Sequence, residues 1–151
     1  MLDDRVRAVL EVDDTPLGRF LFALVTPQND CGVLEVGACA TIWLATGVRY
    51  FSGRVVTVES DPAKREAWLR NVADAGLEEW AELAESLEQV EDVFDVVVIA
   101  PGQDAGQLIP RVRELVEPGA LIVSSAAPAD PTLLSVTVPL DPPLEMSVVL
   151  E

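Results

Sequence analysis

The chain has 151 residues, half of them hydrophobic, and a formal net charge of −16. That length predicts one domain over residues 1–151 with a sizeable core, and the charge opposes binding to nucleic-acid phosphates. No apolar run approaches the ~20 residues of a membrane-spanning helix, and the acidic N-terminus is unlike a secretion signal. We therefore expect a cytoplasmic protein with no nucleic-acid partner and no membrane partner.

The first half of the chain alternates helical patterns with short apolar strands. Helix starts are indicated by Thr15-Pro16 and by Ser60-Asp61-Pro62, because a capping residue precedes a proline. Gly76 is a typical helix end. The predicted elements, in order, are helix 6–10, a helix from Pro16, strand 33–36, helix 42–45, strand 55–58 and a helix from Pro62 to Gly76.

The second half continues the alternation and then changes character. The stretch FDVVVIA at 94–100 is the clearest buried strand, and Pro101-Gly102 ends it. The other predicted elements are a short strand at 81–84, a helical stripe over 108–115, a strand at 120–123 after the turn Glu117-Pro118-Gly119, and hairpin strands at 134–138 and 146–150.

Alternating strands and helices predict right-handed βαβ units and a mostly parallel sheet. The nearly continuous apolar strands agree, because a parallel sheet is covered on both faces. The predicted fold class is therefore α/β, a Rossmann-like doubly wound, mostly parallel sheet with an antiparallel hairpin at its C-terminus.

The cysteine and histidine content restricts the metal sites and catalytic groups that the chain can form. Cys31 and Cys39 are the two cysteines, and the chain has no histidine. This disfavours a zinc site, and cytoplasmic proteins rarely hold disulfides, so we interpret both cysteines as small buried hydrophobic residues. The absence of histidine also excludes Ser–His and Cys–His pairs and a histidine general base.

Acidic residues cluster between Leu77 and Asp95, where eight occur without a lysine or arginine. A solvated face that aids solubility is the plain interpretation. A docking surface for a basic partner is the alternative.

Several stretches, collinear along the chain, resemble the class I S-adenosylmethionine-dependent methyltransferases, and within them the catechol and caffeoyl-CoA type O-methyltransferases. The resemblance runs from about Thr15 to Leu150. The stretches are TPLG at Thr15, VLEVG at Val33, TIWLA at Thr41, GRVVTVESDP at Gly53, FD at Phe94, EPGALIV at Glu117, SVTVPL at Ser135 and SVVL at Ser147.

The resemblance implies S-adenosylmethionine as cofactor, beyond the carboxyl ends of the strands, and a small-molecule substrate. Glu59 would accept hydrogen bonds from the two ribose hydroxyls, and Gly37 would let the turn approach the methionine part. As alternatives, Glu59 is a solvated acid at a strand end and Gly37 serves a tight turn that needs positive φ. The further implied cofactor-binding residues are Ala38, Ser60, Ser86 and Ala100. Trp43 and Trp68 are predicted to lie in the core.

The loop after Gly37 departs from the family. Between VLEVG and TIWLA this chain has three residues, Ala38, Cys39 and Ala40, and family members use about twice as many. The shorter loop has less room and fewer free N–H groups for the carboxylate of the cofactor.

The family's metal and base positions also differ. The metal-ligand positions fall at Ala100, Ser125 and Ala126, none of which is a carboxylate, and the lysine position falls near Gln103. Asp104 could be a displaced ligand, but a role as the N-cap of the following helix is sufficient to explain it. We expect no bound metal, and no catalytic residue can be named.

The third departure is a missing helix between the fifth strand and the closing hairpin, where the chain has only residues 124–131. Sheet surface left bare in this way needs another cover. We expect a homodimer or a partner protein to supply it.

Together these observations predict an O-methyltransferase-like protein without the metal site. It is expected to have weak activity or none, and to act by binding cofactor or a partner. The alternatives are an active, metal-independent methyltransferase, since methyl transfer depends mainly on alignment, and a structural subunit that binds no small molecule.

Overall fold

The computed structural model describes residues 4–126 and 129–151. Its five α-helices are α1 (Asp4–Val12), α2 (Pro16–Val25), α3 (Thr41–Val48), α4 (Pro62–Ala75) and α5 (Ala105–Val112). Its strands are β1 (Gly32–Val36), β2 (Arg54–Val58), β3 (Ala81–Ala84), β4 (Phe94–Ile99), β5 (Val116–Ser124), β6 (Leu133–Val138) and β7 (Leu144–Val149). No described helix is long and apolar enough to cross a membrane.

The seven strands form one sheet in the order β3-β2-β1-β4-β5-β7-β6. Strands β1 to β5 pair in parallel, and β7 pairs antiparallel with both β5 and β6. The predicted fold class is confirmed: the sheet is mostly parallel and ends in an antiparallel hairpin.

Helices cover both faces of the sheet. The face shared by Val33, Val55 and Val96 packs in one core with α2, α3 and α4. The opposite face, with Leu34, Val56 and other strand residues, packs with α5 in a second core. Burial on both faces explains why the central strands are apolar without alternation.

The helix caps follow the sequence signals. Thr15, Asp61 and Asp104 accept hydrogen bonds from the N–H groups of Gly18, Lys64 and Gln107, at 3.0, 3.3 and 3.2 Å. Asp104 therefore has the N-cap role predicted for it. Gly76 ends α4 in the left-handed conformation, with φ +69°, as expected for a helix C-terminus.

Two predicted boundaries are wrong. Glu117-Pro118-Gly119 is not a turn before a strand, because β5 already begins at Val116, which pairs with Phe94. The register shifts between Phe94 and Val96, and Gly119 has φ +94°, so an irregular stretch lies inside the strand. The helical stripe over 108–115 is α5 followed by a 3₁₀ turn at residues 113–115.

The cysteines and tryptophans lie largely where the sequence places them. Cys31 is buried, and that burial, followed by the charge of Asp95, raises the pKa of its thiol to about 12. Cys39 is half-buried rather than fully buried. Trp43 and Trp68 are both buried, and Gly18 lies so close to the Trp43 indole that a Cβ there would stand 2.3 Å from it.

The closing hairpin bears on the expectation about the missing helix, and a partner that covers the sheet in its place stays a prediction. β6 runs parallel to β5, and such crossovers are right-handed as a rule, so the expected helix would belong on the face that α5 covers. On that face Leu133 and Val149 are buried in the second core, and the remaining hairpin side chains are polar. The hydroxyls of Ser135 and Ser147 lie 2.7 Å apart. The missing helix therefore leaves a mostly polar surface, and the exposed apolar residues Leu134 and Val136 lie on the opposite face.

Candidate functional site

A cleft of about 210 Å³ lies at the carboxyl edge of the sheet. It brings together four of the six predicted cofactor-binding residues, Gly37, Glu59, Ser60 and Ser86, from the ends of β1, β2 and β3. Clefts in this position are the usual ligand sites of doubly wound sheets. Its volume is below the ~300–1,000 Å³ typical of small-molecule sites.

Glu59 lies at the floor of this cleft, only 6% exposed. One carboxylate oxygen accepts the Ala38 N–H at 3.0 Å and the other accepts the Asp61 N–H at 3.1 Å. Burial acts to raise the pKa of Glu59, but these two N–H donors, together with the nearby N–H of Ser60 and the charge of Lys64, outweigh it and lower the pKa. The side chain is therefore a carboxylate at neutral pH.

Gly37 forms the turn after β1 and has φ +85°, a conformation that favours glycine. Its N–H donates to the Val58 carbonyl at 2.8 Å, which ties the turn to the end of β2. A Cβ at this position would lie 2.9 Å from Nε2 of Gln103 and 3.0 Å from Cβ of Ala100. The space above Gly37 is therefore taken by the Gln103 side chain.

The two other predicted residues stand at the margins of the cleft. Ala100 is buried at the end of β4, where its N–H donates to the Val36 carbonyl at 2.9 Å. Ala38 contributes its N–H to Glu59, and its side chain lines a separate cavity between the loop and α4. The structure thus places all six residues near one another, and their role in binding stays a prediction.

Glu35 holds the short loop from below. This side chain is fully buried, and its carboxylate accepts N–H groups of Cys39 at 3.2 Å and Ala40 at 2.7 Å. The hydroxyls of Thr41 and Thr57 donate to its other oxygen. The N–H groups of the loop just before α3 are therefore bonded to a side chain of the protein itself.

Cys39 is part of the same cluster. Its Sγ lies 3.4 Å from the Glu35 carboxylate, and burial, followed by the charge and hydrogen bond of Glu35, raises the pKa of the thiol. The thiol is protonated at neutral pH, so it is a poor nucleophile.

The outer wall of the cleft is acidic. Glu85 and Glu88 line it together with Arg111, and Arg111 forms an ion pair with Glu88. Behind this wall the Arg65 guanidinium donates to the carbonyls of Glu59 at 2.8 Å and Ala84 at 3.0 Å. Arg65 thereby fixes the ends of β2 and β3 against each other.

The residues at the positions of the family's metal ligands lie apart from any carboxylate cluster among the described residues. Ser125 and Ala126 are exposed just after β5, and the Ala126 carbonyl accepts the Ser124 hydroxyl. Within residues 4–126 and 129–151, no group of three or more His, Cys, Asp or Glu side chains is placed to hold a metal. That no metal binds stays a prediction.

Sequence reasoning missed the part played by Glu35 and the position of the Gln103 side chain. A signal for Glu35 was present: an acid in an apolar parallel strand needs buried donors, and Thr41 and Thr57 are polar residues in otherwise apolar stretches. No local signal reveals Gln103, because its contact with Gly37 depends on the tertiary approach of the two turns.

No protein-family model and no curated protein sequence matches the chain. Solved structures do match its fold. A methyltransferase from Geobacter sulfurreducens superposes with a TM-score of 0.80 at 19% identity, covering 99% of this chain and 89% of that chain. An O-methyltransferase from Bacillus cereus in complex with S-adenosylhomocysteine gives 0.73 at 23% identity, covering 99% and 92%.

A third match is an O-methyltransferase from Streptomyces achromogenes involved in tomaymycin synthesis, in complex with S-adenosylmethionine. Its TM-score is 0.71 at 19% identity, with 100% of this chain and 92% of that chain covered. The strand order, the cleft at the carboxyl edge and these superpositions agree: the chain has the fold of the class I S-adenosylmethionine-dependent O-methyltransferases.

Proposed function

We propose that this protein binds the adenosyl group of S-adenosylmethionine or S-adenosylhomocysteine in the cleft at Glu59 and acts mainly through that binding. Metal-dependent O-methyl transfer is not part of this proposal. The family's metal ligands and lysine base correspond in this chain to Ala100, Ser125, Ala126 and Gln103. These four residues supply no carboxylate and no base.

The observation that carries the proposal is the state of Glu59. A carboxylate oxygen has about two lone-pair sites, and each oxygen of Glu59 uses one on a backbone N–H. One acceptor site on each oxygen is left, which suits a vicinal pair of hydroxyls. The lowered pKa keeps the group ionised, and charge-assisted hydrogen bonds are the stronger ones.

The fit to the whole cofactor is uneven. The half of the cleft between Glu59 and Ser86 is open and polar, and it suits ribose and adenine. The half over Gly37 is filled by Gln103. When bound, S-adenosylmethionine would supply an activated methyl group, and this chain offers no identified group to prepare an acceptor for it.

A structural subunit that binds no small molecule is the second candidate. The small volume of the cleft and the Gln103 side chain over Gly37 favour it. An active, metal-independent methyltransferase would need both that side chain to move aside and a substrate that is already nucleophilic.

A thermal shift experiment tests the first candidate against the second. S-adenosylhomocysteine at a hundred times its Kd would stabilise the protein by about 2.7 kcal/mol, a rise in Tm of about 5–10 °C for a chain of this size. Glu59→Ala should remove the shift, and Glu79→Ala, a change at an exposed acid outside the cleft, should keep it. No shift of the wild type at millimolar S-adenosylmethionine or S-adenosylhomocysteine would overturn the proposal.

We also propose that a second copy of the chain covers the hairpin patch, defined as Leu134, Val136, Met146 and Val148 on the face opposite α5. Leu134 and Val136 are 63% and 54% exposed, and the patch contains no charge although the chain carries −16. Two copies can therefore approach through it with little repulsion between the patches themselves, and twofold dimers are the commonest oligomers.

Sedimentation velocity at micromolar concentration tests this assembly. The wild type is expected to be a dimer, and Leu134→Ser with Val136→Ser is expected to be a monomer. Leu69→Ser, at a similarly exposed leucine on α4, should remain dimeric. A monomeric wild type would rule the dimer out.

A further inference from the structure

We propose that the cleft recognises a neutral adenine nucleoside, and that the amino-acid end of the cofactor adds little to its affinity. This inference rests on the proposed function, because it concerns the same cleft. It goes further by naming which part of the ligand is recognised and which ligands are rejected.

The first support is that the loop N–H groups already donate hydrogen bonds to side chains of the protein. In α/β nucleotide-binding domains the turn after the first strand and the start of the next helix offer N–H groups to an anionic ligand. Here the N–H of Ala38 donates to Glu59, and those of Cys39 and Ala40 donate to Glu35. The carboxylate of a bound amino acid would have to displace a fully buried carboxylate of the same sign.

The second support is the space over Gly37. The Gln103 side chain lies there, but it is exposed and could rotate away at small cost. The short loop cannot adjust in this way, because Glu35 anchors both of its last N–H groups and the hydroxyl of Thr41. The loop is therefore the stronger obstacle to the amino-acid end.

The third support is the charge of the cleft. Three carboxylates line it, those of Glu59, Glu85 and Glu88, against the single guanidinium of Arg111. Arg111 is already paired with Glu88, and Arg65, behind the wall of the cleft, lies 3.8 Å from the Glu85 carboxylate. A phosphate on the ribose would compete with these carboxylates for guanidiniums that are already paired, so a nucleotide is disfavoured and an uncharged nucleoside is not.

Calorimetric titrations with adenosine, S-adenosylhomocysteine and adenosine monophosphate separate these effects. Adenosine and S-adenosylhomocysteine both have zero net charge at neutral pH, so their comparison isolates the amino-acid end. We expect their Kd values to agree within about threefold, and that of the monophosphate to be at least about tenfold weaker. Glu85→Gln should narrow the gap to the monophosphate, and Glu79→Gln, outside the cleft, should not.

The outcomes separate the inference from the proposed function. If S-adenosylhomocysteine binds tenfold or more tightly than adenosine, the inference fails and the proposed function stands. If the monophosphate binds as well as adenosine, the charge argument fails and the inference with it. If none of the three binds, the proposed function itself is overturned.

Backbone amide NMR gives a second readout that requires no variant. Both ligands should shift the amide signals of Ala38, Asp61 and Ser86, which surround the ribose end of the cleft. S-adenosylhomocysteine should leave the amides of Cys39 and Ala40 as adenosine leaves them, because both stay bonded to Glu35. Large shifts at those two amides with S-adenosylhomocysteine alone would show that the amino-acid end is recognised.

Discussion

Glu35 lies on β1 and Glu59 directly follows the neighbouring strand β2, and these two buried glutamates illustrate how surroundings give one residue type two roles. Glu35 is fully buried, and its carboxylate accepts two N–H groups, two threonine hydroxyls and the thiol of Cys39. Glu59 accepts two backbone N–H groups and borders a cleft. The first is committed to holding the loop, and the second retains acceptor sites for a ligand.

The difference teaches how a shortened loop changes a ligand site. Because only three residues separate Gly37 from Thr41, the start of α3 lies directly over Glu35. The N–H groups that a longer loop could present to a ligand are then satisfied inside the protein. The end of β2 does not depend on the loop in this way, so the acceptor sites of Glu59 that we propose for ribose are retained.

Glu35→Ala should have the largest effect on stability. It leaves two N–H groups and two threonine hydroxyls without their acceptor, and each buried unsatisfied group costs about 1–3 kcal/mol. With partial compensation by water we expect a loss of about 3–5 kcal/mol in the free energy of unfolding, which urea denaturation measures.

The control for this change is Glu82→Ala, at an exposed acid on β3, expected to alter stability by less than about 0.5 kcal/mol. A loss below about 1 kcal/mol for Glu35→Ala would break the comparison. It would mean that the loop N–H groups are not committed to Glu35 and remain free for a ligand.

Gly37→Ala tests the turn that joins the two glutamates. The substitution places a side chain at φ +85°, which costs about 1–2 kcal/mol, and drives its Cβ to 3.0 Å from Cβ of the buried Ala100, which cannot rotate away as the exposed Gln103 side chain can. We expect a total loss of about 2–3 kcal/mol in the free energy of unfolding.

Gly119→Ala is the matched control for that experiment, because Gly119 has φ +94° and no atom within 4 Å of an added Cβ. It should lose only the backbone part, about 1–2 kcal/mol. Equal losses for the two variants would show that the space over Gly37 accepts an added Cβ without cost.

Much of the fold was predictable because its signals are local. The strands at 33–36 and 55–58 follow from β-branched and apolar runs, and the ends of α4 follow from Asp61-Pro62 and Gly76. The start of β5 was not predictable in this way. Pro118 and Gly119 read as a turn, but pairing of Val116 with Phe94 extends the strand past them.

The candidate site, like the fold, could be predicted from the sequence only in part. Glu59 could be placed at the end of β2 from the sequence, since an apolar strand precedes it and a helix start follows. Its two N–H donors, Ala38 and Asp61, come from different turns, so its hydrogen bonding required the structure. The same holds for Glu35, because one of its partners, Thr57, lies on the neighbouring strand.

The pH titration of Glu59 is the smallest effect and the most direct check on its state. The pKa of its carboxyl in the folded protein lies below the ordinary value of 4.5. A depressed pKa means that its stabilising contribution is fully present above 4.5 and is lost as pH falls through the folded value. Carboxyl carbon NMR should give a midpoint below 4.5, and nucleoside binding should be constant from pH 7 to pH 5. A midpoint above 4.5 would mean that burial outweighs the N–H donors, and Glu59 would then resemble a structural acid more than a ligand of ribose.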